Sequence, residues 1–456
     1  MKNNILSNKE STVSPNIKLP LRANIINLKE RIDRKENTLL QFKGKSEFSY
    51  NILEVSRERN GAMGLWSNIK KIVATAKMNK DKFVIVCEDD HVFTKHYSTN
   101  KFLDHINKVE TLGGDILLGG VSWSESAVPI DDSLYWIEHF GGTQFTVIFS
   151  RFYKKILSVD FNDKDNADAK ISKLTRKKYV IHPFISKQKD FGYSDVTFKN
   201  NQKGAIEKLF YRSSKSIENI NRVQKYYLKN YLNRKSISAI EFSITTYIID
   251  STKPDAEEKS VLNDFANKSE FDTKIIKLNG NPPSDKLMWE AIKFVSKDAI
   301  KNDEDVIIIA NTDQKFSNIY SRKFLLENIL DSHSQGTDIL LGNLSYFSQA
   351  VPIAKNRFWV DRFFGFDFMV IFKKFFSVIS HANYEETIPL DLFISSLTSN
   401  KLVFFPFISR RTLKSSPNFE TQKEDFINIS LNRLKTIHRL YMKYQTSISH
   451  DKAYLL

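Results

Sequence analysis

Three adjacent carboxylates, Glu88, Asp89 and Asp90, directly follow the apolar run at residues 83–87. Neighbouring carboxylates repel one another unless a positive charge lies among them, and hard divalent cations such as Mg²⁺ and Mn²⁺ prefer oxygen ligands. We therefore predict a divalent metal site at this point of the chain. The alternative is a solvated acidic turn that caps the next helix.

Two arginines and a histidine follow other apolar runs. Arg31 and Arg34 lie three residues apart at the predicted start of a helix, where both could face one ligand and pair with its phosphates or with a base edge. His182 follows the apolar run 179–181, and its imidazole could complete the coordination of a metal held by carboxylates. A solvated helix face for the arginines and a structural role for the histidine are the alternatives.

Short apolar runs alternate with helix-like segments around these residues. Strands are predicted at 24–27, 83–87 and 116–118, with a helix after the first strand and another at 101–110. This alternation predicts an α/β domain with a largely parallel sheet. Ligands of such sheets bind beyond the carboxyl ends of the strands, so functional side chains are expected just after each apolar run.

The chain repeats itself at an offset of 223 residues. The clearest matches pair segments 45–48 with 268–271, 115–119 with 338–342, 127–130 with 350–353, and 183–186 with 406–409. A register that holds over such a length indicates a tandem duplication. We therefore predict two α/β copies, one after the other.

Each copy ends in a predicted basic amphipathic helix. The apolar positions of the two helices are Ile217, Ile220, Val223 and Tyr227, and Leu431, Leu434, Ile437 and Tyr441. Such a stripe either packs on its own domain or attaches to an anionic membrane surface. The predicted organisation is a polar tail at 1–19, a catalytic domain at 20–236 and a degenerate repeat at 237–456.

The second copy keeps the apolar framework and loses the charged positions except one, a single remaining carboxylate at Asp313. Glu88, Asp89, Asp90, Arg31, Arg34 and His182 align in turn with Asn311, Thr312, Asp313, Pro254, Glu257 and Phe405. Residues that disappear together are expected to form one site, so we predict that only the first copy holds it. Asp168 persists as Asp391, which a position at a helix N-terminus explains. Contact of Asp168 with substrate is the alternative.

Three motifs of the first copy together resemble glycosyltransferase family 25, which includes lipooligosaccharide and collagen galactosyltransferases. The motifs are NIINLKERIDR at 24–34, GAMGLW at 61–66 and EDD at 88–90. The resemblance implies a GT-A (Rossmann-like) fold, a nucleotide-sugar donor such as a UDP-sugar, a Mn²⁺ or Mg²⁺ ion, and transfer with inversion. It also implies that Glu88 and Asp90 match the ends of the family's Asp-x-Asp-type motif, with Asn27 and Arg31 against the nucleotide.

The predicted site residues form three sets. They are the metal ligands Glu88, Asp90 and His182, the nucleotide-binding residues Asn27, Arg31, Arg34, Glu88 and Asp89, and the candidate general bases Glu125, Asp190 and Asp195. A metal would stabilise the charge that develops on the leaving nucleoside diphosphate. One carboxylate would take the proton from the acceptor hydroxyl.

These features predict a metal-dependent glycosyltransferase that moves a hexose, such as galactose, from a nucleotide sugar to a glycan or lipid-linked oligosaccharide. The resemblance places this reaction in the synthesis of a bacterial surface polysaccharide. The degenerate second copy would brace the enzyme or bind acceptor. The alternative is a non-catalytic carbohydrate-binding or scaffolding protein built on the same fold.

Composition limits the partners and the location. The net charge of +15 is spread along the 456 residues without a nucleic-acid-binding motif, so a polyanionic small ligand or an anionic membrane is expected rather than nucleic acid. Cys87 is the single cysteine, so no intramolecular disulfide can form. No apolar run reaches the length of a membrane span. The expected location is cytoplasmic, with peripheral attachment to the inner face of the membrane as a further hypothesis.

Overall fold

The computed structural model describes residues 17–58, 60–192, 204–232, 242–250, 264–278, 284–312, 314–411 and 420–444. The chain divides into two compact units, with the boundary between Ile217 and Glu218. Each unit contains one eight-stranded sheet with helices packed against it. The protein is therefore a mixed α/β protein.

In its described residues, the first unit contains ten strands and the helices between them. The strands are β1 (Leu21–Leu28), β2 (Phe48–Val55), β3 (Phe83–Glu88), β4 (His91–Phe93), β5 (Ile116–Leu118), β6 (Trp123–Pro129), β7 (Leu134–Gly141), β8 (Phe145–Phe149), β9 (Lys178–Ile181) and β10 (Ser186–Gln188). The helices are α1 (Ile32–Phe42), α2 (Gly61–Met78), α3 (Thr99–Thr111), α4 (Ser150–Ser158), α5 (Ala167–Leu174) and α6 (Ala205–Leu232), the last of which crosses the boundary between the units.

The second unit repeats this series. Its strands are β11 (Ile244–Asp250), β12 (Phe271–Lys277), β13 (Val306–Asn311), β14 (Gln314–Phe316), β15 (Ile339–Leu341), β16 (Tyr346–Phe347), β17 (Ala350–Ala354), β18 (Arg357–Val360), β19 (Phe363–Phe364), β20 (Phe368–Phe372), β21 (Lys401–Phe404) and β22 (Ser409–Arg411). Its helices are α7 (Asp285–Lys301), α8 (Arg322–Ser334), α9 (Lys373–His381), α10 (Leu390–Ser396) and α11 (Glu420–Tyr444).

The main sheet of the first unit is mixed, with the strand order β2-β1-β3-β8-β5-β9-β7-β6. Strand β1 is parallel to β2 and β3, and β5 is parallel to β9, but β8 runs antiparallel to both of its neighbours. The prediction of a largely parallel sheet was wrong. A three-residue connection joins β7 to β8, which β9 and β5 separate in the sheet, and an antiparallel β6–β7 pair completes the sheet.

The main sheet of the second unit has the same order, β12-β11-β13-β20-β15-β21-β18-β17. Its strand β20 takes the antiparallel position of β8. Strands β13 and β20 lie 223 residues after β3 and β8. The repeat found in the sequence is thus a repeat of the fold.

Asp168 and Asp391 make the same contact in the two units. Asp168 Oδ2 accepts a hydrogen bond from the Gly142 N–H at 3.0 Å, and Asp391 Oδ2 accepts one from the Gly365 N–H at 2.7 Å. Both glycines have positive φ, +99° and +72°, a conformation that side chains disfavour. The persistence of this aspartate therefore has a structural explanation, which is fixing the turn before β8 and β20.

The long helices α6 and α11 correspond to the predicted amphipathic helices. Ile217 and Tyr227 of α6 and Leu434 and Tyr441 of α11 are buried. Packing within the protein therefore accounts for these apolar stripes, and membrane attachment stays a prediction. Among the described helices, none combines the length and apolarity that crossing a bilayer requires.

Candidate functional site

The acidic turn lies at the carboxyl edge of the first unit's main sheet. Glu88 is the last residue of β3, Asp89 and Asp90 form the turn, and β4 begins at His91. Asp89 and Asp90 are only 4% and 9% exposed. The alternative of a solvated acidic turn does not fit this burial. Because buried carboxylates need compensating partners, their contacts define what the turn can do.

Asp89 is held by three residues from the carboxyl end of β1 and the start of α1. Asn27 Nδ2 donates to Asp89 Oδ2 at 3.2 Å, and an Arg34 guanidinium nitrogen donates to Asp89 Oδ1 at 3.1 Å. Arg31 lies 3.5 Å from the same oxygen. The two arginines were predicted to face phosphates, and the structure places them on this carboxylate. Asp89 is therefore the anchor that joins the acidic turn to α1.

Glu88 and Asp90 are much less well compensated. Thr143 donates to Glu88 Oε1 at 2.7 Å, and Arg34 reaches Asp90 Oδ2 at a long 3.5 Å. Asp90 Oδ1 is buried without a hydrogen-bond partner. Burial, followed by repulsion from Asp90, raises the pKa of Glu88 to about 8, and burial, followed by repulsion from Asp89, raises that of Asp90 to about 7. A cation between these two carboxylates would relieve both effects.

This pair fits Mg²⁺ or Mn²⁺ as a partial ligand set. Such cations commonly take one or two protein carboxylates and fill their remaining positions with water and substrate phosphates. Across the described ranges, no three or more His, Cys, Asp or Glu side chains are grouped to hold a metal ion. Two carboxylates alone therefore carry the metal hypothesis.

His182 does not join these carboxylates, and the predicted three-residue ligand set is not assembled. Its Nε2 lies 2.9 Å from Ser214 Oγ, and its ring packs against Tyr135 and Phe184. His182 follows β9, which β8 and β5 separate from β3. Three strand spacings amount to about 14 Å, too far for side chains to share one metal. These contacts fit the alternative interpretation of His182, in which the histidine has a structural role.

The candidate bases differ in their surroundings. Asp190 Oδ1 accepts the Gly192 N–H at 2.8 Å and Asp190 Oδ2 accepts the Gly204 N–H at 2.7 Å. Glu125 is half-buried on β6, opposite His139 of β7. Asp195 lies outside the described residues. Both oxygens of Asp190 are thus engaged by backbone N–H groups.

A cavity of about 220 Å³ adjoins the acidic turn. It opens between the carboxyl ends of β1 and β2 and the start of α2, and its lining includes Arg31, Gly61, Gly64, Glu88 and Asp89. This is the edge of the sheet where the fold is expected to bind a ligand. A larger cavity of about 880 Å³ lies at the amino ends of β1 and β3, away from the acidic turn. The smaller cavity is therefore the one that the acidic and basic side chains of the candidate site line.

Several residues that the sequence reasoning missed hold the acidic turn in place. Thr38 Oγ1 donates to the Asp89 carbonyl at 2.8 Å, and the Lys189 N–H donates to the Asp90 carbonyl at 2.8 Å. Thr143, which binds Glu88, was also missed. The duplication carried a signal for it, because Thr143 aligns with Phe366 and is lost together with the acidic residues.

His91 is buried directly after the acidic turn and packs in the core next to it. Its Nδ1 lies 2.8 Å from Ser186 Oγ, and its ring stacks on Phe145 with centroids 4.8 Å apart. Burial lowers the pKa of His91 to about 3. The imidazole is therefore neutral near pH 7, and His91 packs as a core side chain rather than as a charged partner of the carboxylates.

No family model and no curated protein matches the sequence. Among solved structures, the chain is similar to A197 from STIV, with 15% identity, a TM-score of 0.28, and coverage of 38% of this chain and 86% of that one. It is also similar to apo UDP-glucose pyrophosphorylase (11% identity, TM-score 0.25, 43% and 82% coverage). UDP-glucose pyrophosphorylase complexed with UDP-glucose gives 10% identity, a TM-score of 0.26, and 44% and 81% coverage. Scores this low leave the function to be argued from the site.

Proposed function

We propose that the first unit is a metal-dependent glycosyltransferase with a GT-A-type fold, similar to family 25, and that it uses a nucleoside diphosphate sugar. The observation that carries the proposal is the pair of half-buried Glu88 and buried Asp90 beside a basic-rimmed cavity at the carboxyl edge of the sheet. A buried carboxylate oxygen without a partner, as in Asp90, destabilises a fold and is retained most often for function.

Glu88 and Asp90 would hold the Mg²⁺ or Mn²⁺ ion. When bound, such an ion supplies positive charge that stabilises the leaving diphosphate. Arg31 lines the cavity while one of its nitrogens lies near Asp89, so its guanidinium both anchors the turn and adds positive potential where a diphosphate would lie. Asn27 keeps the turn aligned with β1 through its bond to Asp89.

Glu125 would be the base that takes the acceptor proton. Both oxygens of Asp190 already accept backbone N–H groups, so this carboxylate has a structural role in holding the chain. Glu125 lies on β6, which begins shortly after the carboxyl end of β5. The substrates we propose are a UDP-hexose donor and a glycan or lipid-linked oligosaccharide acceptor of a bacterial cell surface.

The test is UDP binding and UDP release from UDP-galactose and UDP-glucose, each measured with and without Mn²⁺. Asp90→Asn should abolish the Mn²⁺-dependent part of UDP binding and reduce nucleotide release at least a hundredfold, because a charged ligand of the cation is lost. The matched control is Asp313→Asn, the aligned position of the second copy, which should leave both unchanged.

The two possible failures have different meanings. Absence of Mn²⁺-dependent UDP binding in the wild-type protein would refute the proposed site. Binding that Asp90→Asn removes, without transfer or hydrolysis of any donor, would instead favour the non-catalytic alternative. Loss of activity in Asp313→Asn with wild-type activity in Asp90→Asn would move the active site to the second unit.

A further inference from the structure

Trp123 is an exposed tryptophan at the rim of the candidate site. The chain has five tryptophans, and Trp66, Trp136, Trp289 and Trp359 are each buried, with at most 4% exposure. Trp123, the first residue of β6, is 45% exposed. The indole thus offers an exposed aromatic surface of the kind that binding sites use to contact a ligand.

The indole of Trp123 lies directly against the backbone of Gly141. The two residues are paired across β6 and β7, and a Cβ atom on Gly141 would lie 2.1 Å from Trp123 Nε1. No side chain other than hydrogen fits at position 141 while the indole keeps this place. Gly141 therefore leaves room for the indole ring, which remains partly exposed to solvent.

A short stretch of chain connects this ring to the acidic residues. Thr143, two residues after Gly141, donates to Glu88 Oε1 at 2.7 Å. Two residues of extended chain span at most about 7 Å. The Gly142 N–H between them binds Asp168 at 3.0 Å, which fixes the path of this segment. The indole, which contacts Gly141, thus lies within about 7 Å of chain from Thr143, the residue that contacts Glu88.

Glu125 lies on the same face of β6 as Trp123, because side chains two residues apart on a strand point to the same side. Glu125 is half-buried and pairs with His139 as Trp123 pairs with Gly141. An aromatic ring beside a carboxylate suits a pyranose, which has an apolar C–H face and polar hydroxyl groups. The C–H face of the sugar packs on the ring, and its hydroxyl groups donate to the carboxylate.

The second unit does not keep this arrangement. Tyr346, Ser348 and Phe364 stand where the first unit has Trp123, Glu125 and Gly141. Tyr346 and Phe364 pair across β16 and β19, so the second unit has a second aromatic residue where the first unit has glycine. Both rings are exposed, at 38% and 41%, so the second unit keeps an exposed ring but loses the glycine and the carboxylate neighbour.

We propose that Trp123 is the platform on which the acceptor sugar, a hexopyranose at the end of a glycan, stacks, and that Glu125 hydrogen-bonds to a hydroxyl of that sugar. The inference rests on the proposed transferase function and extends it to the acceptor. Trp123 would set the acceptor affinity without acting on the donor. Gly141 is the positioning residue that keeps the indole open to the ligand.

Acrylamide quenching of tryptophan fluorescence tests the platform without metal or donor. Trp123 is the exposed fluorophore, so lactose, cellobiose or chitobiose should reduce the quenching in the wild-type protein by covering its ring. Trp123→Phe should remove both the quenchable signal and the sugar effect. Quenching that none of the three sugars changes overturns the inference.

The kinetic test separates acceptor from donor. Trp123→Ala should raise the KM for the acceptor about tenfold, the loss of one aromatic stacking contact, while UDP release without acceptor is unchanged. Trp123→Phe should restore most of the affinity, and Tyr346→Ala is the matched control in the second unit. Gly141→Ala, which displaces the indole, should copy the Trp123→Ala effect if the latter variant folds poorly.

The outcomes distinguish the two proposals. A wild-type acceptor KM in Trp123→Ala and Gly141→Ala overturns the platform and leaves the transferase function standing. Absence of Mn²⁺-dependent UDP binding refutes the transferase function. Sugar protection of Trp123 in that same protein would still support a sugar-binding ring at this position.

Discussion

Replacing Arg34 with methionine tests whether its guanidinium compensates the acidic turn. The Arg34 side chain is 6% exposed, lies 3.1 Å from Asp89 Oδ1 and 3.5 Å from Asp90 Oδ2, and stacks over the Phe191 ring at 4.9 Å. Methionine keeps most of the apolar stem and removes the charge. The variant therefore leaves the buried carboxylates while deleting their strongest partner.

Breaking a buried ion pair by removing one partner costs about 3–5 kcal/mol. Arg31 remains 3.5 Å from Asp89, so the loss for Arg34→Met should lie nearer about 2–3 kcal/mol. With a urea dependence of about 2 kcal/mol per molar, the unfolding midpoint of the first unit should fall by about 1 M. Hydrogen exchange of β3 peptides during a urea titration assigns the change to this unit.

The loss should depend on pH because the folded-state pKa of Asp90 is raised to about 7 from 3.8. The unfolded chain releases this proton first, so the stability contributed by protonated Asp90 is present below about pH 4 and is lost as pH rises through about 7. Removing the Arg34 charge raises the pKa of Asp90 further, so Arg34→Met should lose more at about pH 8 than at about pH 5.

The control is Arg57→Met, which breaks the exposed pair with Glu30, whose side chains are 55% and 45% exposed. That change should cost less than about 1 kcal/mol at either pH. Combining Arg34→Met with Asp89→Asn should recover part of the loss, because the stranded charge is removed as well. An Arg34→Met protein as stable as Arg57→Met at about pH 8 would refute this account of the turn.

Three other changes test the cavity, a buried lysine and the repeated aspartate. Gly64→Leu, which introduces the residue of the second copy, should lower UDP affinity at least tenfold by filling the cavity; unchanged UDP titrations would contradict the assigned site. Burial lowers the pKa of Lys178 from 10.5 to about 8, so wild-type stability should rise between these pH values, and Lys178→Met should flatten that rise in urea midpoints. Asp168→Ala and Asp391→Ala should each destabilise their own unit by about 1–3 kcal/mol through an unpaired glycine N–H; an effect of Asp168→Ala on activity alone would favour substrate contact instead.

The sequence predicted the elements that depend on local pattern and chain order. The apolar run before Glu88 does form the central strand β3, and the repeat at an offset of 223 residues does return as a second sheet of equal order. Both follow from composition and spacing along the chain. The expectation that polar site residues follow the strands placed Asn27 and the acidic turn at one edge of the sheet, where Asn27 bonds to Asp89 and Glu88 lines the cavity.

The failures concern strand direction and distance in space. The run 145–149 is equally apolar in a parallel or an antiparallel strand, so its pattern could not show that β8 reverses the sheet. That insertion, with β5, places His182 about three strand spacings from Glu88. The contact of Arg34 with Asp89 joins residues 55 positions apart, and no local spacing predicts such a pair.

Two buried carboxylates at this edge, one in each unit, differ in their hydrogen-bond partners. In the second unit, Asn343 Nδ2 donates to Asp367 Oδ2 at 3.1 Å, and both residues are buried. These partners satisfy one another within the protein, so their burial requires no ligand. In the first unit Asp90 Oδ1 is buried without such a partner. Asn343 and Asp367 therefore need no ligand, whereas a cation in the proposed site would supply the partner that Asp90 Oδ1 lacks.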